Sequence, residues 1–488
     1  MQTPLNQLKY GSRRQNPLFS MINPKSIAFF GASNRFSSMG TNQLSSLLQL
    51  GFSGPIYPVH PQETSVLGLN AYPSVQDLPE TPDLAVLVLP TRIVPDVLAQ
   101  CGKKGIPNAI IVSGGFREVG RQGIESEQVI RRIAQRYGMR FLGPNCLGIA
   151  NPHHKFNTTF LPYRGQPGFI GMASQSGSFI TQMFDYLSRK MLGFSTAISV
   201  GNEADVDIVD CMEYLAVCPH TKVICLYIEA IRRGRRFIDA ARSISPHKPI
   251  VAYYVGGSES GKRASMSHTG ALSGPDNLYD GVFRQSGVLR AGSIEELFDI
   301  CAILGTAPLT AGNRVVIQTH SGGPGAAAAD ACNREGLKIP PMPQDLTQKL
   351  VKFIPHTGSL SNPLDITFSK DQMDYFYKIP CCLLEEGSFD VLLIYLLLPG
   401  HLFRQTLVSL GIPGDQIDVE TKKIMDGICA MIEKLSLTYQ KPVVGYSFHA
   451  DNDQIVKGLR SRNIPVFPSP HRAARAIAAL VRYAGRNA

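Results

Sequence analysis

Ser26-Ile27-Ala28-Phe29-Phe30-Gly31-Ala32-Ser33 is an apolar run that ends in a turn of small residues, and the figure recurs twice. Gly168–Met172 leads into Ser174-Gln175-Ser176-Gly177, and Arg314–Thr319 leads into Ser321-Gly322-Gly323-Pro324-Gly325. A short run that is apolar on both faces and enters a helical stretch through small residues reads as a buried parallel strand feeding a crossover helix. Around the first run the sequence predicts further strands at Pro55–Val59, Leu84–Leu89, Ala109–Val112 and Arg140–Leu142, so that a doubly wound sheet ends near Asn151. A second block adds Thr196–Val200, Val223–Glu229 and Pro249–Tyr254 and closes on a helix around Ile294–Leu304. After a linker at Thr306–Asn313, a third block adds Val391–Leu398, Pro442–Tyr446 and a closing helix at Arg472–Tyr483. The prediction is three α/β units in series behind a polar leader, divided as 1–20, 21–151, 152–308 and 309–488.

The chain has 488 residues, enough for three cores, and its 44% hydrophobic and 18% charged content excludes a disordered polymer. No apolar run reaches the length of a membrane span. The net charge of +10 suits anions in general. The densest basic knot, Arg232, Arg233, Arg235 and Arg236, has no layout of a nucleic-acid module, so nucleic acid is not expected as a partner. Ten scattered cysteines without a CxxC pair point to a reducing, cytoplasmic setting and away from a zinc site; no metal site is expected in this chain. Arg13-Arg14 lacks the apolar stretch an export signal needs after it.

Three strand-to-helix turns are three candidate anion sites, because helix N-termini present free N–H groups and small residues let a phosphate approach. Each is equally readable as a tight turn. GxGxxG is absent from the first turn, and no Walker A pattern occurs anywhere. His268, in Ser267-His268-Thr269-Gly270, follows a Gly- and Ser-rich run from Gly256; a Gly-flanked imidazole can carry a phosphoryl group covalently, and taken alone the residue is more often an ordinary loop histidine. Glu229 ends an apolar strand, where parallel sheets place their ligands, and its carboxylate suits an imidazole partner or a salt bridge to Arg232 or Arg233. Asn145, in Gly143-Pro144-Asn145, has a similar location and is a substrate-contact candidate or a turn former.

These motifs occur in an order that carries a resemblance. Gly31-Ala32-Ser33, Ser113-Gly114-Gly115-Phe116, Gly143-Pro144-Asn145-Cys146, Ser174-Gln175-Ser176-Gly177, Ser199-Val200-Gly201-Asn202, Glu229, Ser267-His268-Thr269-Gly270, Ser321-Gly322-Gly323 and Asn362-Pro363-Leu364-Asp365 resemble the α subunit of nucleoside-diphosphate-forming acyl-CoA synthetases, relatives of succinyl-CoA synthetase. The resemblance spans about residues 20–480. It implies an N-terminal Rossmann-like CoA-binding domain followed by two flavodoxin-like domains. It implies that Gly31, Ser33 and Gly40 hold the coenzyme A phosphates, with Arg35 adding charge and Pro90, Ser113 and Phe116 lining the rest. By the same resemblance His268 is the phosphorylated histidine and Glu229 steadies it, while Ser176-Gly177 and Ser321–Gly323 bind phosphate. The implied reaction interconverts acyl-CoA, phosphate and ADP with acid, CoA and ATP through an acyl phosphate. The nucleotide and its Mg2+ belong to an ATP-grasp β subunit, for which this chain has no room, so a hetero-oligomer is expected.

Three departures stand out. Tyr253-Tyr254 occupies the stretch where such chains usually have a lysine, with Gly256-Gly257 in place of Gly-Arg. Val59-His60-Pro61-Gln62 replaces Val-Asn-Pro-Lys, and Glu229-Ala230 replaces Glu-Gly. Lys262 and Arg263 lie close enough in sequence to restore charge. A competing reading is a catalytically reduced CoA- or acyl-CoA-binding regulator. A nicotinamide oxidoreductase is opposed by the missing GxGxxG and its acidic ribose partner.

Overall fold

The computed structural model describes residues 9, 11–261, 274–367, 371, 373–397, 400–449, 451 and 453–486. Its first sheet is wholly parallel, in the spatial order Ile56–Val59, Ile27–Phe30, Leu84–Leu87, Asn108–Ile111, Arg140–Leu142. Ile27–Phe30 is buried along its whole length because helices cover both faces, which is why the run has no polar alternation. The five predicted strands of this block are all present. The leader is less separate than its polarity suggests: its Leu18 joins the core together with Met21 and Ile22, which follow it, and Asn23 Nδ2 of the first block donates to Tyr214 Oη at 2.7 Å.

The second sheet has seven strands, ordered Leu289–Ala291, Ile250–Tyr254, Val223–Ile228, Ile170–Ser174, Phe194–Ser199, Gly148–Asn151, Phe156–Asn157. The last two form an antiparallel edge hairpin, so the division expected at residue 151 falls inside a hairpin of the second sheet. This hairpin and the first two sheets lie in one compact unit, residues 1–188 and 192–292.

A second compact unit comprises residues 189–191 and 293–488. Its parallel sheet runs Leu364–Asp365, Val315–Thr319, Val391–Tyr395, Val443–Tyr446, Val466–Phe467. The helix Ile294–Thr306, expected to close the second block, packs in this unit with the final helix Pro470–Ala484. A bidentate pair fastens the two, Arg472 Nε and NH2 to Asp299 at 2.5 and 2.7 Å. That partner lies 173 residues away, beyond the reach of local pattern.

Candidate functional site

The first strand delivers its turn at Gly31, whose φ of +89° is a left-handed conformation. A Cβ there would sit 1.9 Å from the Val88 carbonyl oxygen, and one on Gly40 would sit 2.2 Å from that of Gly31. The two glycines let a strand, a turn and the helix Met39–Leu50 pass at backbone contact. Thr41 Oγ1 closes the turn by accepting from Ser33 N–H at 3.1 Å and donating to Ser33 O at 2.7 Å. Arg35 and Gln62 are exposed.

Beside this turn lies a cavity of about 490 Å³, reached by Pro90, Ser113, Asn145, Gln175 and Gly177. Ser113 Oγ donates to Leu89 O at 2.5 Å, tying two strand ends together. Phe116, expected among the lining, is instead fully buried in the core of the first sheet. Apolar packing removes its ring from the cavity, while its N–H donates to Glu118 Oε1 at 3.2 Å. Asn145, at φ +58°, donates from its backbone N–H to Ser113 O at 2.9 Å and from Nδ2 to Asn202 Oδ1 at 3.3 Å. Asn202 in turn donates to Glu118 Oε2 at 2.6 Å and Glu127 Oε2 at 3.3 Å. The buried Glu127 and the half-buried Glu118 thus fix the face that Asn145 shows the cavity.

Gln175 is the hub of the second turn. Its Oε1 accepts from the N–H groups of Glu229 at 2.5 Å and Ala230 at 2.9 Å. Its Nε2 donates to Ala230 O at 2.7 Å and to Glu203 Oε2 at 2.9 Å. One buried amide therefore connects the cavity wall to the strand end that presents Glu229, itself 5% exposed. Glu203 also accepts from Ile208 N–H at 2.9 Å and lies 3.4 Å from Arg232 Nε; burial and the neighbouring Asp207 push its carboxyl up to about 8. Each neutral bond of this kind contributes about 1 kcal/mol. Gln175→Ala, which strips the partner from the four groups it bonds, should cost the fold about 2–3 kcal/mol, read by calorimetry as a lower midpoint temperature. Gln175→Glu should cost as much, because it sets a carboxylate against Glu203 and Ala230 O.

Ser176 and Gly177 open the helix Gly177–Arg189, with Ser174 Oγ donating to Ser176 O at 2.7 Å and accepting from Ser176 N–H at 3.1 Å. The second unit repeats the device. Thr319 Oγ1 donates to Ser321 O at 2.8 Å and accepts from Ser321 N–H at 3.2 Å, at the entrance to the helix Gly322–Arg334, which starts with Gly322 and Gly323. A strand-terminal hydroxyl thus shapes both helix entrances, leaving their first N–H groups for an anion.

His268 lies outside the described residues, as do Lys262 and Arg263. Of the Tyr pair that departs from the usual lysine, Tyr254 stacks on Tyr279 at 3.6 Å and donates to Gly274 O at 2.8 Å. It is a buried anchor beside the chain that returns from the histidine segment. Sequence reading missed Gln175, Asn202 and Glu203 as a connected set, although Gln175 and Asn202 lie inside motifs it quoted. Among the described residues no cluster of His, Cys, Asp and Glu could hold a metal ion, and no helix is long and apolar enough to cross a membrane.

Residues 25–152 match the family described as CoA binding domain, 167–304 the succinyl-CoA ligase like flavodoxin domain, and 315–460 the ligase-CoA domain. The chain is 37% identical over 464 residues to the α subunit of acetate–CoA ligase (ADP-forming) II of Pyrococcus furiosus, covering 95% of this chain and 97% of that one. It is 33% identical over 478 residues to a trans-feruloyl-CoA synthase of an unknown prokaryotic organism, covering 96% of this chain and 65% of the relative. A solved dinucleotide-forming acetyl-coenzyme A synthetase 1 of Ca. Korarchaeum cryptofilum, in complex with phosphate and ADP, superposes with a TM-score of 0.84 at 33% identity. That alignment covers 96% of this chain and 97% of the other.

Proposed function

This chain belongs to the α-subunit family of the ADP-forming acyl-CoA synthetases, and from that premise we propose how its residues divide the reaction. It is an acid–CoA ligase subunit with a CoA-binding domain, and the naming of its relatives implies a separate β subunit. In our reading the coenzyme A phosphates lie at the turn of Gly31, Ser33 and Gly40 with Arg35 beside them, and the thiol end reaches the cavity at Pro90, Ser113 and Asn145. Inorganic phosphate binds at the helix entrance of Ser176 and Gly177, on the N–H groups from Gly177 onward, since the Ser176 N–H is held by Ser174 Oγ. Its oxygen attacks the thioester carbonyl, the carbon–sulfur bond breaks, and CoA leaves as the thiol with an acyl phosphate formed. Neutral His268 then attacks phosphorus, displacing the carboxylate, and becomes the phosphohistidine. Glu229 holds the proton on the other ring nitrogen, which keeps the attacking nitrogen unprotonated.

The covalent carrier lets the acyl and nucleotide chemistry occupy separate places while excluding water. The β subunit, an ATP-grasp protein in this proposal, holds ADP with Mg2+ and receives the phosphoryl group. Ser321, Gly322 and Gly323 serve as a second phosphate-binding helix entrance. We place this heteromer in the cytoplasm, where thiols stay reduced; among the described residues no cysteine is in a disulfide.

The observation that carries the reading is the Gln175 amide, which joins the cavity wall to the Glu229 turn. Glu229→Gln tests it. The variant keeps size but loses the charge that supports an imidazolium-like transition state, and phosphohistidine formation should fall by about 100- to 1000-fold. Capture at the wild-type rate in this variant would return Glu229 to a purely structural role.

A further inference from the structure

Parallel register sets Ser199, Ser174, Tyr227 and Tyr253 side by side on four adjoining strands, where the second sheet ends. Residues paired in this way share a face. Their sequence neighbours Ile198, Ala173, Ile228 and Tyr254 turn the other way, into the core. The row lies on the face covered by the helix Gly177–Arg189, because the rings of Phe179 and Tyr227 meet at 4.5 Å. Tyr253 flanks Tyr227, with ring centroids 5.9 Å apart. Ser174 is the hydroxyl that shapes the helix entrance through Ser176. Both phenols thus stand beside that entrance, at the carboxyl ends of parallel strands, where such sheets place their ligands.

Each of the two rings is partly buried, and among the described residues neither hydroxyl has a hydrogen-bond partner. Tyr254, on the opposite face, has its hydroxyl committed to Gly274 O at 2.8 Å. Burial, then the Glu229 charge and the neighbouring Tyr253, push the Tyr227 phenol up to about 12, so it keeps its proton at neutral pH and remains a donor. Two anions, phosphate and the Glu229 carboxylate, have to share this strand end. A cation between them would pair with Glu229 and weaken its hold on the imidazole proton. A neutral phenol donates to a phosphate oxygen, in a bond strengthened by the anion's charge, and leaves the carboxylate ionised.

Resting on the ligase reading above, we propose that Tyr227 and Tyr253 are phosphate-binding residues, whose hydroxyls donate to the oxygens of inorganic phosphate that the N–H groups at the Gly177 entrance leave unsatisfied.

The test varies inorganic phosphate at saturating acyl-CoA and follows the radioactive label captured by the full-length chain, with acetyl-CoA, isobutyryl-CoA and phenylacetyl-CoA as donors. Tyr227→Phe and Tyr253→Phe keep the packed rings and remove only the hydroxyls. Each should raise the half-saturating phosphate concentration about tenfold, and the double variant about 50-fold or more. The half-saturating acyl-CoA concentration and the midpoint temperature should stay at their wild-type values, because no ring contact is lost. Tyr254→Phe is the control: loss of its bond to Gly274 O should lower the midpoint temperature and leave the phosphate dependence alone. An unchanged phosphate dependence in the double variant, or a fall in maximal rate alone, overturns the assignment and leaves the ligase reading standing. A rise confined to one single variant removes the other residue from the subsite. A wild-type chain that takes no label from any of the three donors sinks the ligase reading and the inference with it.

Discussion

Replacing His268 by Ala is expected to abolish acid-labile phosphoryl incorporation altogether, while coenzyme A binds as in the unsubstituted chain. The expectation is total because the proposed carrier forms a bond to phosphorus, and no neighbouring group substitutes for a missing nucleophile. The other titratable groups of the site are unsuited to the task. Glu229 is a buried carboxyl at the end of its strand, and Glu203 is held by Gln175 Nε2 and Ile208 N–H. The cavity thiol, Cys146, is fully buried, donates to Ile111 O, and is pushed up to about 12 by burial, so it is not a thiolate at neutral pH. The measurement is intact mass after incubation with acyl-CoA and phosphate, before and after acid. Retained label in His268→Ala would move the carrier to another residue. Loss of both label and CoA binding would indicate collapse of the fold rather than of the chemistry, and His268→Asn, close in size to the imidazole's proximal half, separates the two.

What the sequence makes legible here is whatever is buried on two faces. Ile27–Phe30, Val223–Ile228 and Val391–Tyr395 are read correctly because helices cover both sides of the sheet and leave no polar alternation. Leu289–Ala291, Leu364–Asp365 and Val466–Phe467 escape because two or three residues at a sheet edge carry no period. The hairpin at Gly148–Asn151 and Phe156–Asn157 escapes for a different reason: its antiparallel pairing with Phe194–Ser199 is a long-range event in an otherwise parallel pattern. The site shows the same divide. Turn glycines and strand-end carboxylates stand out as types, whereas the amide of Gln175 is defined by partners 28, 54 and 55 residues away. Phe116 shows the limit in reverse: it sits inside a recognisable motif, yet its ring is taken by the core.

Gly31→Ala is expected to eliminate coenzyme A binding and to destabilise the first compact unit by about 3–5 kcal/mol, a fall in midpoint temperature on the order of 10 °C. Two costs add at this residue. The backbone is at φ +89°, where any side chain costs about 1–2 kcal/mol. The methyl group would also lie 1.9 Å from the Val88 carbonyl oxygen, which belongs to the chain continuing from the central strand Leu84–Leu87 and cannot rotate away. Val88 N–H is itself bonded to Phe30 O at 3.1 Å, so relief of the clash must open the sheet where the proposed phosphate turn begins. Gly68→Ala separates the two costs, because Gly68 has nearly the same dihedral, φ +81°, with no atom within 4 Å of the added carbon. It should lose about 1 kcal/mol and keep its coenzyme A affinity. Gly40→Ala, with its clash of 2.2 Å against Gly31 O but no left-handed dihedral, should fall between them in stability and match Gly31→Ala in lost binding. Calorimetry on the three variants reads both quantities at once. Coenzyme A affinity that survived in Gly31→Ala at wild-type strength would remove the phosphates from this turn and leave it a packing device alone.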